Sequence, residues 1–148
     1  KLAGKCALIT GGSNGIGAGI ALKFAEEGAC VAITYLTDKE NAEAVVKKIQ
    51  SSGSKAIAIQ ADVSSSEDRK KILEETISAF GAIDVLVNNA GILIPCSIKE
   101  TTENNFDKTV HVNLKGPFFL TRAVAEMMQE KNKGGNIIFI SSISDEVV

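Results

Sequence analysis

The chain has 148 residues, 45% of them hydrophobic and 23% charged, and a formal net charge of −2. That length supports one domain with a sizeable core, and the composition is that of an ordinary soluble globular protein. A slightly acidic chain with no basic run is not a nucleic-acid surface, no apolar stretch approaches a membrane span, and the N-terminus shows no secretory signal.

Taken in order, the elements alternate. Lys5 to Thr10 is an apolar strand that opens into Gly11, Gly15 and Gly17; Ile16 to Glu27 follows with a helical stripe of Ile16, Ile20 and Phe24. A buried strand passing through a glycine-rich turn into a helix is a phosphate-binding construction. The first N–H groups of a helix have no partner within it, and the dipole adds partial positive charge there. Glycines let a diphosphate approach without a Cβ in the way. The spacing is not the usual G-x-G-x-x-G, and the turn lacks the Lys-Ser or Lys-Thr ending of a nucleoside-triphosphate loop.

Gly28 ends the first helix. Cys30 to Tyr35 is a second buried strand, and Asp38 is the expected N-cap of a helix from Asn41 to Gln50. Ala56 to Gln60 is a third strand, leading to Ala61-Asp62-Val63. Ser64-Ser65-Ser66 supplies caps for a helix that runs through Phe80 and stops at Gly81. Ile83 to Val87 is a fourth strand and opens directly into Asn88-Asn89-Ala90-Gly91. A looser segment, Ile92 to Thr102, carries Pro95. A long helical pattern then runs from Glu103 to Lys131, with a bend expected at Gly116-Pro117. Gly134-Gly135 ends it, and Asn136 to Ile140 is a fifth strand before Ser141-Ser142.

Strands separated by helices predict an α/β fold, a doubly wound parallel sheet of Rossmann type with helices on both faces, residues 1–148 forming one domain. On that geometry the glycine turn, Asp62-Val63, Asn88 to Gly91 and Ser141-Ser142 share one rim, where a ligand would lie. Cys6, Cys30 and Cys96 have no metal-ligand spacing and read as reduced structural thiols of a cytoplasmic protein. His111 is the only histidine and reads as an ordinary helical side chain, so neither a metal site nor a Ser/His/Asp triad is expected.

Thr10-Gly11-Gly12-Ser13-Asn14-Gly15-Ile16-Gly17, Asp62-Val63, Asn88-Asn89-Ala90-Gly91, Val112-Asn113-Leu114 and Ile140-Ser141-Ser142 together resemble the classical short-chain dehydrogenase/reductase family, in order and spacing over essentially the whole chain. The segments also look like the subgroup of glucose 1-dehydrogenases, 3-oxoacyl-carrier-protein reductases and polyketide ketone reductases. The resemblance implies that Gly11, Gly15 and Gly17 lie against a cofactor diphosphate, Ser13 and Asn14 near the adenosine ribose, and Ile16 along the cofactor. Asp62 would bond the adenine amino group while Val63 holds the ring; an N-cap on the following helix is the other reading of Asp62. Asn88 would contact the cofactor through its backbone, and Asn89, Ala90 and Gly91 would stabilise the central sheet. Asn113 resembles the family's helix asparagine, whose carbonyl holds a water of the proton relay; a kink residue is the alternative. Ser142 resembles the serine that holds the substrate oxygen and orients a tyrosine, with Ser141 and Ser144 as competing alignments.

The family's Tyr-x-x-x-Lys pair is expected downstream of Ser142, and the sequence stops at Val148. The chain therefore reads as the N-terminal portion of an enzyme, expected to be inactive as it stands. The end of the second strand, Tyr35-Leu36-Thr37, carries no acid to accept from both ribose hydroxyls and repel a 2′-phosphate. Ser13, Thr37 and Lys39 could meet such a phosphate, although Asn14 replaces the basic residue common in NADP-binding relatives. NADP(H) is the expected cofactor, ahead of NAD(H), with Tyr35 and Thr37 beside its adenosine. The implied reaction is hydride transfer between the nicotinamide and a small-molecule carbonyl or secondary alcohol, with Leu93, Ile94 and Cys96 as an apolar wall that favours a bulky ketone. The rivals are a noncatalytic dinucleotide sensor or scaffold and a nucleotide-sugar epimerase. The long helix from Glu103 implies a homo-tetramer or homo-dimer, again by resemblance.

Overall fold

The computed structural model describes residues 1–130 and 134–142. Five strands, β1 (Cys6–Ile9), β2 (Cys30–Tyr35), β3 (Ala56–Gln60), β4 (Val85–Asn88) and β5 (Asn136–Phe139), form one sheet in the order β3-β2-β1-β4-β5. Every pairing is parallel. After β3 the chain crosses to the far side of β1, so winding reverses between β1 and β4, and a crevice opens beyond their carboxyl ends.

Side chains alternate across a strand, and the core divides accordingly. Ala7 and Ile9 of β1, Val31 and Ile33 of β2, and Val85 and Val87 of β4 pack on one face with Ala21 and Ala25 of α1 (Gly15–Glu26) and Ala42 and Ile49 of α2 (Lys39–Ser51). Leu8, Ala32 and Leu86 point to the other face, against Ile72 of α3 (Ser66–Phe80) and Leu120 and Val124 of α5 (Gly116–Glu130). With both faces covered, the strands can be apolar throughout, which is why they read as short uninterrupted runs.

The elements fall where the sequence predicts them, with ends shifted by one or two residues. The second helix starts at Lys39 rather than Asn41, capped as expected by Asp38, whose side chain accepts from Asn41 N–H. Gly81 terminates α3 in the left-handed conformation. Cys30, expected in the core, is only half-buried at the entry of β2, whereas Cys6 is buried.

The long helix differs. It is α4 (Glu103–Val110), one π turn (His111–Lys115) and α5. The irregularity expected at Gly116-Pro117 sits one turn earlier, where the Gly116 N–H reaches back to the His111 carbonyl. Gly116 has a packing role: a Cβ there would stand 2.7 Å from the Val63 carbonyl oxygen, so only glycine lets this helix approach the end of β3. The predicted end at Lys131 and the competing Ser144 lie outside the described residues.

Candidate functional site

The crevice is a cleft of about 620 Å³ beyond the carboxyl ends of β1 to β4. Its walls include the glycine turn, the ends of β2 and β3, and Asn89 to Ile92.

Two threonines fasten the glycine turn: Thr10, which opens the motif but was given no role of its own, and Thr34, which the sequence reading did not single out. Thr34, buried in β2, accepts from Gly11 N–H through Oγ1 at 3.1 Å and from Gly12 N–H through its carbonyl at 2.8 Å. Thr10, buried at the end of β1, accepts from the N–H groups of Asn89 and Ala90 through Oγ1, both at 3.0 Å. Asn89 completes the joint, donating Nδ2 to the carbonyls of Thr10 and Gly11 at 2.9 Å each. Asn89 and Ala90 thus close the gap between β1 and β4 where no ladder remains; Gly91, expected with them to stabilise the sheet, lines the cleft. Gly17 is obligatory here, because a Cβ would collide with the Gly11 carbonyl and stand 2.5 Å from Asn89 Nδ2. Gly11 itself has φ +66°, where a side chain is strained.

Gly11 and Gly12 N–H are engaged by β2, and the helix start offers further donors. Ala18 N–H is the first to bond back, to Asn14, so the N–H groups of Gly15, Ile16 and Gly17 have no helical carbonyl. Asn14 occupies the N-cap position without making a side-chain cap, and the first turn of α1 has no acidic residue. Helices α2, α3 and α4 are all capped, by Asp38, Ser65 and Thr102, and each has an acid in its first turn. Among these four, α1 alone starts with neither a side-chain cap nor a first-turn acid of its own, and its start faces the cleft.

Asn14 instead donates Nδ2 to Asp38 Oδ2 at 3.3 Å. Asp38, also in the cleft wall, takes a second hydrogen bond from Asn41 Nδ2 at 2.8 Å. The Asn41 side chain, then its backbone N–H and Asn14, hold the Asp38 carboxyl below the usual aspartate range. Lys39, one of the groups that could meet a phosphate, is paired with Glu43 at 3.6 Å.

At the end of β3, Asp62 accepts from Ser64 N–H at 2.8 Å and so closes a turn ahead of α3. The N-cap is Ser65, so Asp62 is not the cap. Val63 and Ser64 complete this wall.

Of the residues expected to bind a dinucleotide, Gly11, Ser13, Asn14, Gly15, Ile16, Tyr35, Thr37, Asp62, Val63, Asn89, Ala90 and Gly91 line the cleft. Gly17 lies behind the turn. Asn88 is buried away from the cleft, with Nδ2 on Thr121 Oγ1 at 3.0 Å and its carbonyl taken by Ile140 N–H at 2.9 Å. Asn113 is in the π turn, and its carboxamide exchanges two 2.9 Å hydrogen bonds with the main chain of Ile92, clamping the segment that leaves β4. Pro117 has no N–H to give to the Asn113 carbonyl four residues back. Ser142 is exposed, two residues past the Ile140 link to β4. Leu93, Ile94 and Cys96 do not line the cleft; Ile92 does. The sequence reading missed Lys108 and His111, which share a helix face and close the outer wall.

The profile of the short chain dehydrogenase family matches residues 5–147. This chain is a member of the short-chain dehydrogenase family. Versicolorin reductase 1 of Aspergillus parasiticus is 44% identical over 142 residues, 96% of this chain and 53% of that protein. A 3-oxoacyl-acyl-carrier-protein reductase of Staphylococcus aureus is 44% identical over 140 residues, 94% of this chain and 56% of its own. Among solved structures, a short chain dehydrogenase of Burkholderia cenocepacia in complex with NADP superposes with a TM-score of 0.90 at 40% identity, covering 99% of this chain and 59% of that one. The short-chain dehydrogenase chain described here thus spans between half and three-fifths of the length of these relatives.

Proposed function

We infer that the protein containing this chain is a nicotinamide-dependent oxidoreductase acting on a carbonyl or secondary alcohol, and that this chain supplies its dinucleotide site. The observation that carries the reading is the uncapped, acid-free N-terminus of α1 facing a cleft of dinucleotide size. Gly15 and Ile16 N–H would take the diphosphate, with Gly17 behind them letting the turn close. Asp62, whose second carboxylate oxygen is not used by the turn to Ser64, would accept from the adenine amino group beside Val63. The bound cofactor supplies or accepts a hydride at the nicotinamide ring. Ser142 would donate its hydroxyl to the substrate oxygen. Asn113 would hold a relay water on its carbonyl, which the missing N–H of Pro117 favours.

NADP(H) is the preferred cofactor: Tyr35-Leu36-Thr37 carries no acid, and the Burkholderia cenocepacia relative holds NADP. NAD(H) is the second reading, favoured by the Asp38 carboxylate in the cleft wall, which would repel a 2′-phosphate. Titration with NADPH and NADH decides between them, tighter NADH binding removing the preference. A ketone such as those named for the versicolorin and 3-oxoacyl reductases is the substrate class proposed. Phe106 of α4, Leu114 of the π turn and Phe118 of α5 are exposed large hydrophobic residues along the long helix, which supports a homo-oligomer packed through it.

The site assignment is tested by Ser142→Ala. Turnover is expected to fall by about a hundredfold or more, the range for loss of a group acting in proton transfer, with cofactor affinity retained. Equal loss of both would make Ser142 structural, and full cofactor binding with no turnover in the unsubstituted protein would favour a sensor or scaffold.

A further inference from the structure

The sequence contains two arginines, Arg69 and Arg122, and their guanidinium groups lie over the ring of the same residue, Phe119 of α5, at 5.6 and 5.3 Å from its centroid. Their surroundings differ. Arg122 is exposed and pairs with Glu126 one turn on. Arg69 is 8% exposed, and its Nη1 donates to the carbonyls of Val63 at 2.7 Å and Ser64 at 2.8 Å. Burial lowers its pKa, and the nearby Asp62 carboxylate opposes that shift.

A buried cation on two main-chain carbonyls is a costly way to hold a turn unless the turn matters. Val63 and Ser64 are the wall of the cleft after β3, and the Val63 carbonyl is the same atom that Gly116 allows α5 to approach. Asp68, the residue before Arg69, accepts from Asp62 N–H at 2.7 Å through its carboxylate. The start of α3 therefore holds three successive residues of the turn, and the Phe119 ring packs on the guanidinium that holds two of them. We propose that Arg69 is a positioning residue for the cofactor: by holding the Val63 and Ser64 carbonyls it sets the Asp62-Val63 turn at the height needed to receive the adenine ring. It touches no cofactor atom and acts through the turn.

The inference rests on the dinucleotide reading above, and the test separates the two. Affinities of the protein for NADPH and for the adenine-bearing fragment 2′,5′-ADP are measured for the unsubstituted chain, Arg69→Leu, Arg69→Lys and, as control, Arg122→Leu, with thermal unfolding of each. Failure of the unsubstituted protein to bind either probe, or NADH and AMP in their place, would sink the dinucleotide reading itself. If it binds, Arg69→Leu is expected to weaken both probes about tenfold, the scale of one charge-assisted hydrogen bond. Arg69→Lys, which keeps a cation and donors, recovers part of the loss, and Arg122→Leu is unchanged. In the full-length protein that contains this chain, kcat of Arg69→Leu at saturating cofactor is expected to stay near its unsubstituted value while KM for the cofactor rises. Unchanged affinity in Arg69→Leu overturns the proposal. So does a loss shared by Arg122→Leu, or one that follows unfolding temperature across the set, because each makes Arg69 a packing residue only.

Discussion

The two turns that wall the cleft are fastened by opposite means. The glycine turn is held by uncharged groups, Thr10, Thr34 and Asn89, all reaching from strands of the central sheet or their immediate ends. The turn after β3 is held by Arg69 and Asp68 from the helix that follows it. Under the proposed reading the glycine turn would receive an anion, and the neutral fasteners Thr10, Thr34 and Asn89 add no charge of their own to the field of the α1 start, which the Asp38 carboxylate meets through the Asn14 side chain at 3.3 Å. Under the same proposal the β3 turn would receive a neutral aromatic ring, and charge in its support disturbs no such field. The glycine turn is also the tighter of the two, since its fasteners leave no room for a methyl group at Gly17.

The largest effect is therefore expected at Gly17→Ala. Its Cβ has a main-chain carbonyl and Asn89 in its way, and overpacking of this kind costs about 3 kcal/mol. A denaturation midpoint close to that of the unsubstituted chain would show that the turn yields easily, and the contrast with the β3 turn would collapse. Next comes Thr10→Val, which keeps the shape and removes the acceptor for two N–H groups. Stability should fall by about 2 kcal/mol, and amide exchange at Asn89 and Ala90 should accelerate; unaltered exchange would mean that the threonine only fills space.

Gly116→Ala probes the other turn. Its Cβ would meet the Val63 carbonyl at 2.7 Å and, less closely, the His111 carbonyl at 3.3 Å, and the Val63 carbonyl is held by a side chain that can move with it, so a cost of about 1–2 kcal/mol is expected. A penalty above that of Gly17→Ala would invert the comparison. The smallest effect concerns Asp38, whose carboxyl is held below the usual range mainly by the Asn41 side chain. A depressed folded pKa stabilises above the unfolded value and is lost as pH falls through the folded one. An NMR titration of the Asn41 amide should show its inflection below the ordinary aspartate value of about 3.9, and stabilities of Asp38→Ala and the unsubstituted chain should converge in acid. An inflection at the ordinary value would detach Asp38 from its cap and from Asn14.

Much of the fold was legible because it is written locally. Runs such as Cys30 to Tyr35 are buried on both faces and need no partner to be recognised, Asp38 and Ser65 cap helices within a few residues of themselves, and Gly81 stops one by its own backbone. The cleft residues of the glycine turn, Asp62-Val63 and Asn89 to Gly91 were legible for a related reason: each follows directly on a strand end, and parallel winding brings strand ends to one rim. What only the tertiary structure decided depends on partners distant in sequence. Thr34 looked like any β-branched strand residue until Gly11 was placed above it, and the Asn113 side chain, read as part of a family motif or a kink, had no partner until Ile92 was brought to its carboxamide. Gly116-Pro117 resembled a bend, because a sequence shows the missing Cβ and N–H but not the Val63 carbonyl that occupies the space. Arg69 gave no sign at all. An arginine near a helix start reads as solvated, and only the packing of α5 over α3 turns it inward onto the turn it holds.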